Sequence, residues 1–391
     1  MIAPDEALAR LIALAGPIDV ETLPLIQAAG RWTAEPVTAL RTQPARDLSA
    51  MDGYAIRYAD LPGAWQVVGE SAAGSPYSGT VGAHEATRIF TGAALSTGAD
   101  SVVIQEEVTR DGDALMLSGD GPDTKGAHVR RAGSDFAAGQ ILIEAGERLT
   151  PARIGLAAIG GHATLLVRRR VRVAIISTGD ELVPPGTDAG RDQLPASNGI
   201  MLAAMLGALP VEIVDFGIIA DDRAALAEVF AQASDGDIIV TTAGASVGDH
   251  DLVQPALVDA GAEIDFWKIA MRPGKPLMAG RLGNAVALGL PGNPVSAFVT
   301  AALFLKPLIA HLSGARDAAP PTLAATLATD MPAVGIRTDY VRALWVGGAI
   351  SPLGGDSGML VPLAAAAALI VRPAGSPPAR AGDTVTIIAL A

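Results

Sequence analysis

The sequence predicts a multidomain α/β plus β fold built around a doubly wound, mostly parallel α/β domain. Three observations carry this. At 391 residues the chain is long enough for roughly two to four domains of ordinary size. Between residues 171 and 300, short β-branched runs alternate with helical stretches at the spacing of βαβ units. On either side of that region the texture is extended and punctuated by turn residues, as in small β modules.

Taken in order, MIAPDEALARLIALAG reads as a short amphipathic helix, with Asp5 and Glu6 where a signal peptide needs positive charge. The chain turns extended near RTQPARDLSAMDGYAIR, and residues 51–140, rich in Gly, Ser, Thr and Val, read as a β-rich module. In RLTPARIGLAAIGGH, Thr150 is placed to cap a helix that Pro151 opens, returning the chain to the N-terminal region and making the β module an insertion. From Val171 onward VRVAIIST, VEIVDFGII, DIIVTTAG and AVALGLPG read as strands. NGIMLAAMLGAL, DDRAALAEVFAQA and PVSAFVTAALFL read as the helices between them. After Pro320 and Pro321 short extended runs return, ending AGDTVTIIAL, and predict a small β-barrel or sandwich. The boundaries so drawn are 1–50 with 141–170, then 51–140, 171–316 and 317–391.

Composition excludes several classes. A net charge of -13 argues against a general binder of nucleic acid or anionic membranes. With no cysteine there are no disulfides, thiolate nucleophiles or Cys-type metal sites, and five scattered histidines make a His-rich metal site improbable. Apolar runs such as SAFVTAALFL and VPLAAAAALIV fall short of the ~20 residues of a membrane span. The expectation is a soluble, cytoplasmic protein.

In open α/β sheets ligands bind beyond the carboxyl ends of the strands. The loops STGDEL, IIADD, TTAGASVGDHD and LPGNPVS should therefore converge on one crevice. LPGNPVS places Asn293 as N-cap, Pro294 at the first helical position and Ser296 in the first turn, either as an anion site or simply as a well-capped helix start. No GK[ST] follows, so a Walker A loop is not supported. FWKIAMRPGKP adds Lys268, Arg272 and Lys275 around the turn Pro273–Gly274, readable as an anion pocket or as a solvated charged loop. Against these cations stand Glu181, Asp221, Asp222, Asp249 and Asp251. Carboxylates beside a phosphate repel it unless a divalent cation lies between them, and Mg²⁺ is usually held by one or two carboxylates plus phosphate oxygens. Asp221 or Asp222 could instead cap the following helix. Together these loops predict a diphosphate- or nucleotide-like ligand with Mg²⁺. Glu181, Asp221, Asp249 and Asp251 would hold the metal, and the small residues Gly244 to Gly248 would let phosphate approach.

In this order, STGDEL, SNGIML, TTAGASVGDHD, FWKIAMRPGKP and GLPGNPVS resemble the MoeA family, the molybdopterin molybdenumtransferases related to the C-terminal part of gephyrin. SAMDGYAIR and RIFTGA resemble the same family's inserted domain, so the similarity spans nearly the whole chain. The resemblance implies a split elongated helical domain, an inserted β domain, a molybdopterin-binding α/β domain and a C-terminal β-barrel. It implies a homodimer in which the inserted domain of one subunit faces the α/β domain of the other. It implies a reaction that takes adenylylated molybdopterin and molybdate, inserts molybdenum into the dithiolene and releases AMP, with Mg²⁺ or a similar cation.

By position, Asp52 and Thr91 match site residues of the inserted domain, Glu181, Asp221 and Asp251 the acidic set, Lys268 a family lysine and Arg342 a barrel-domain arginine. Arg272 stands where some members carry lysine, exchanging a point cation for a planar fork. The catalytic set so implied is Glu181, Asp221, Asp251, Lys268 and Arg272. Substrate contacts fall to Asp52, Thr91, Thr178, Gly179, Asp180, Asn198, Gly244, Ser246, Gly248, Lys275, Pro291, Gly292, Asn293, Ser296, Arg342 and Ser357. The family's C-terminal segment is often serine-rich, whereas GDSGMLVPLAAAAALIVRP is mostly apolar and retains Ser357. The competing readings are a molybdopterin adenylyltransferase and a non-catalytic pterin carrier or scaffold. Transient contacts with the adenylyltransferase and with molybdoenzyme maturation proteins are also expected.

Overall fold

Pro4 opens the first helix of the computed structural model, which describes residues 1–243 and 252–390, and of Trp267 the backbone alone. This helix, Pro4–Ala13, carries Asp5 and Glu6 in its first turn and Arg10 in its last, complementing the helix dipole. Ala7 and Leu11 are fully buried against the α/β core, while Arg10 reaches Asp265 at 2.8 Å, so the helix is amphipathic as its sequence requires.

The N-terminal strands find their partners more than 80 residues away. Val20–Pro24 pairs antiparallel with Thr164–Arg168, Val37–Thr38 with Ile141–Ile143, and Leu48–Ser49 with Val129–Arg130. The helix Pro151–Ile159 starts as its sequence demands, with Thr150 Oγ1 accepting from Arg153 N at 3.4 Å. The chain between these pairings forms a six-stranded sheet in the order Ser101–Ile104, Gly53–Ile56, Glu85–Ile89, Trp65–Ser71, Ala114–Leu117, Val108–Asp111.

The α/β sheet runs Val211–Ile219, Val171–Thr178, Ile238–Thr242, Ala285–Leu290, Pro276–Leu282, Glu263–Lys268. The first four strands pair in parallel and the last two join by antiparallel pairing, so that Pro276–Leu282 alone runs against the others in this sheet. Successive residues face opposite sides. Val173 and Ile175 join the layer of Leu202, Val295, Val299 and Leu308, while Ala174 and Ile176 join that of Leu226, Phe230, Val253 and Leu257. Helices therefore cover both faces, which is the double winding read from the sequence. The last two strands were absent from that reading, because Pro276 and the lysines flanking them look like loop.

A second difference concerns length. Pro294–Leu312 is one 19-residue helical run, α-helical apart from a π-helical stretch over Ala301–Leu305, and is long and apolar enough to cross a membrane. The sequence suggested shorter runs because Lys306 and Pro307 interrupt the apolar stretch. Most of it (72%) is buried inside the fold, as expected of a core helix.

The C-terminal sheet orders Met271–Arg272, Thr338–Val346, Ala368–Arg372, Thr384–Ala389 and Thr322–Thr326, with Ala349–Pro352 on Thr338–Val346. A bridge from Leu327 to Ile350 brings the two ends together into a barrel-like ring. Its edge strand Met271–Arg272 belongs in sequence to the α/β region, so the basic turn is stitched into the C-terminal sheet.

Candidate functional site

Thr178, Thr242 and Leu290 end three neighbouring parallel strands. At these strand ends lies a cleft of about 590 Å³ lined by Ser177, Glu181, Asn198, Thr242, Ala243, Pro291, Gly292, Asn293 and Gly358. That volume lies within the range of small-molecule sites. Two backbone positions are special. Gly179 has φ +143°, and a Cβ there would lie 2.5 Å from the Glu181 carboxylate. Ala243 holds φ +130°, a strained conformation for a residue with a Cβ, where the loop leaves its strand. Asn198 donates Nδ2 to Gly292 O at 2.7 Å, which fixes the amide orientation and leaves Oδ1 buried without a partner among the described residues. A buried orphan acceptor suits a ligand that brings a donor.

The acidic loops meet beside this cleft. Asp221 N donates to Asp180 Oδ1 at 3.0 Å. Partial burial, then the charge of Asp180 and that of Glu181, push the Asp221 carboxyl above the usual carboxylate range. Hard oxygen donors crowded until they repel one another fit a divalent cation. Among the described residues no three such side chains form a finished cage. Asp249 and Asp251, with Gly244, Ser246 and Gly248, lie outside the described residues. Asp222 has a separate role: its Oδ1 accepts from Ala225 N at 2.9 Å and caps the helix Arg223–Ala233. Asp222→Ala should therefore lower stability by about 1 kcal/mol in urea denaturation. The divalent-metal dependence of activity should stay unchanged.

The basic turn opens on a second cleft of about 570 Å³, lined by Arg272, Pro276, Asn293, Ser296, Arg337, Asp339, Arg342, Asp356 and Ser357. Pro276 and Asn293 line both clefts, so the two adjoin. Gly274 has φ +97°, and a Cβ there would meet Thr300 Cγ2 at 2.5 Å, so the turn needs this glycine. Lys268 ends the strand Glu263–Lys268, and both Lys268 and Lys275 are exposed.

Three expectations change here. Arg272 is ion-paired with Asp339 rather than standing open to anions. Arg342 is buried and donates to Met359 O at 3.0 Å and Gly355 O at 2.5 Å, so it holds the loop 354–359 in place. Asn293 occupies the N-cap position but makes no cap bond, since its Nδ2 donates to Ser357 Oγ at 3.1 Å. Val295 N, an amide of the LPGNPVS helix start, donates to Ser357 O at 3.1 Å. The physical reason is packing: the C-terminal domain lies on the turn and the helix start, where Asp339 and Ser357 take up the donors of Arg272, Asn293 and Val295. Arg342 is used within that domain to hold the loop 354–359.

Asp52 and Thr91 line neither cleft and pair with each other in the inserted sheet. Asp52 Oδ1 accepts Thr91 N at 2.7 Å and Thr91 Oγ1 at 3.0 Å. The Thr91 bonds, backbone first, hold the Asp52 carboxyl below its usual range. Sequence reading missed Ser177, Thr242, Arg337 and Asp339. The first two were legible only as strand ends, and the last two lie in RTDYVR, from which only Arg342 was drawn. A larger open cleft of about 900 Å³ lies at the amino ends of the strands. Its arginines are partly neutralised, Arg31 by Glu21 and Arg169 by Asp237, which leaves little charge for a ligand.

Comparison with known proteins completes the site. Three family models match in sequence order: the MoeA N-terminal region (domain I and II) over residues 2–161, a probable molybdopterin binding domain over 174–311, and the MoeA C-terminal region (domain IV) over 324–390. A molybdopterin molybdenumtransferase of Haemophilus influenzae is 36% identical over 350 residues, covering 88% of this chain and 86% of that protein. The chain belongs to the MoeA family. A second MoeA relative, the molybdopterin molybdenumtransferase of Nostoc sp., is 35% identical over 95% of this chain and 89% of its own. The crystal structure of the molybdopterin biosynthesis MoeA protein from Pyrococcus horikoshii OT3 superposes with a TM-score of 0.86 at 26% identity, covering 100% of both chains. The MoeA molybdopterin-binding match spans both the strand-end loops and the basic turn.

Proposed function

We propose that this chain is a molybdopterin molybdenumtransferase, inserting molybdenum from molybdate into adenylylated molybdopterin and releasing AMP. The observation that carries the reading is the adjacency of the two clefts, one bordered by crowded carboxylates and the other lined by Arg272, Arg337 and Arg342. An adenylylated pterin brings a diphosphate that needs both. N-terminal and C-terminal MoeA regions flank the molybdopterin-binding domain, which disfavours a single-domain adenylyltransferase.

Glu181 and Asp221, with Asp249 and Asp251, would hold Mg²⁺, which when bound neutralises diphosphate charge and lowers the cost of expelling AMP. Asn198 Oδ1 accepts from a pterin or ribose donor. Gly179 and Gly292 let phosphate approach the backbone. Lys268 and Lys275 draw molybdate and phosphate toward the basic cleft, which Ser296 and Ser357 line and where Arg272 is held against Asp339. Arg342 keeps Ser357 in place rather than binding the anion itself. Substituting Arg342 by Met should release the loop 354–359 and raise the KM for molybdate about tenfold, with kcat less affected. A molybdate titration of AMP release reads this directly.

The same reading takes the molecule as a cytoplasmic homodimer, each Asp52–Thr91 pair facing the other subunit's α/β cleft, with transient contacts to the adenylyltransferase and to maturation proteins. Its test is AMP release by purified protein supplied with adenylylated molybdopterin, molybdate and Mg²⁺. Release at background level would sink the assignment, and ATP-dependent adenylylation of free molybdopterin would replace it.

A further inference from the structure

We propose that Arg88 is a positioning residue that presets the Asp52–Thr91 pair. The proposal rests on the molybdenumtransferase assignment, in which the inserted domain brings those two side chains to the reaction. Strands Gly53–Ile56 and Glu85–Ile89 run antiparallel, with Tyr54 opposite Arg88 and Gly53 opposite Ile89. Asp52 and Thr91 therefore leave adjacent strand ends. The Arg88 guanidinium carbon lies 4.7 Å from the Phe90 ring centroid and 5.2 Å from that of Tyr54. Its Nη1 donates to Gly53 O at 2.9 Å and its Nη2 to Gln105 Oε1 at 2.7 Å. Gln105 N in turn donates to Asp52 O at 3.1 Å.

One planar cation thus grips the residue after Asp52, the ring before Thr91, and the residue that anchors the Asp52 carbonyl. Only a guanidinium can stack on rings and direct donors along two fixed axes at once. Its charge also favours the ionised Asp52. Because Asp52 Oδ1 takes both Thr91 donors, Oδ2 has no hydrogen-bond partner among the described residues and is available to substrate. The sequence marks Arg88 only as the first letter of RIFTGA, and its partners come from three separate segments.

The test compares wild type, Arg88→Lys, Asp52→Asn and the double variant, using steady-state AMP release and hydrogen exchange of the Thr91 amide. Arg88→Lys keeps the charge and removes the fork. It should lower kcat about tenfold with KM within about threefold, as small displacements of a reacting group do. The double variant should be no more than about twofold slower than Asp52→Asn, because Arg88 acts through Asp52. The Thr91 amide should exchange about tenfold faster in Arg88→Lys, with the amides of strand Gly53–Ile56 unchanged. Wild-type kcat in Arg88→Lys, multiplicative losses in the double variant, or unaltered Thr91 exchange would overturn the proposal. Should wild type itself release no AMP, the molybdenumtransferase assignment falls, and Thr91 exchange alone decides whether Arg88 presets the pair.

Discussion

Glu181→Gln is expected to lower the turnover of AMP release about 100- to 1,000-fold, the usual cost of removing one group that organises charge at a phosphoryl centre. The substitution preserves size, so the fold should be unaffected. Glu181 lines the strand-end cleft, and its charge is among the causes that raise the Asp221 pKa. That crowding is unfavourable in the free protein and would become favourable with the divalent cation that the proposed function places among the oxygens. The variant should therefore need more Mg²⁺ for half-maximal rate, with partial recovery at high Mg²⁺, and chelation should abolish wild-type turnover. Asp221→Asn should lose less, about tenfold, because Glu181 lines the strand-end cleft and Asp221 does not. A Glu181→Gln enzyme with wild-type turnover and metal dependence would remove the acidic loops from the mechanism.

Phe304→Ala should destabilise the protein by about 3–5 kcal/mol, the range for deleting a fully buried aromatic side chain. Phe304 is 1% exposed and sits in the π-helical stretch of the central helix, in one core cluster with Leu11, Val299 and Leu308. It also faces Pro4, Leu8, Tyr340 and Val371, where the first helix and the C-terminal sheet meet the α/β core. Burial at the same junction, with the Asp5 charge adding, pushes the Tyr340 hydroxyl up to about 12. Such a loss is a large fraction of the stability of an ordinary domain. The first urea transition should shift accordingly, while AMP release at low temperature stays within about twofold of wild type. An unchanged midpoint would mean that the three parts do not depend on this contact.

The sequence by itself determined the elements whose signal is local. Thr150 and Pro151 specify a helix start, VRVAIIST a buried strand, and the glycine-bearing loops after each strand the end of the sheet where a ligand binds. Those choices depend on backbone sterics and on which faces must leave water, and both are legible within a few residues. The strands beginning at Glu263 and Pro276 escaped because proline and charge mimic a loop until a neighbouring strand supplies hydrogen-bond partners. Only the tertiary structure assigned the cap to Asp222 rather than Asp221, because the Asp222 carboxylate accepts Ala225 N while the Asp221 backbone N–H is taken by the Asp180 carboxylate. It alone paired Arg272 with Asp339, turned Arg342 onto the backbone at Gly355 and Met359, and placed Ser357 over the start of the central helix. The partners of Asp221, Arg272 and Ser357 lie 41 or more residues along the chain. A side chain's role depends on which donors and acceptors remain once packing has taken the rest, and only the folded chain settles that.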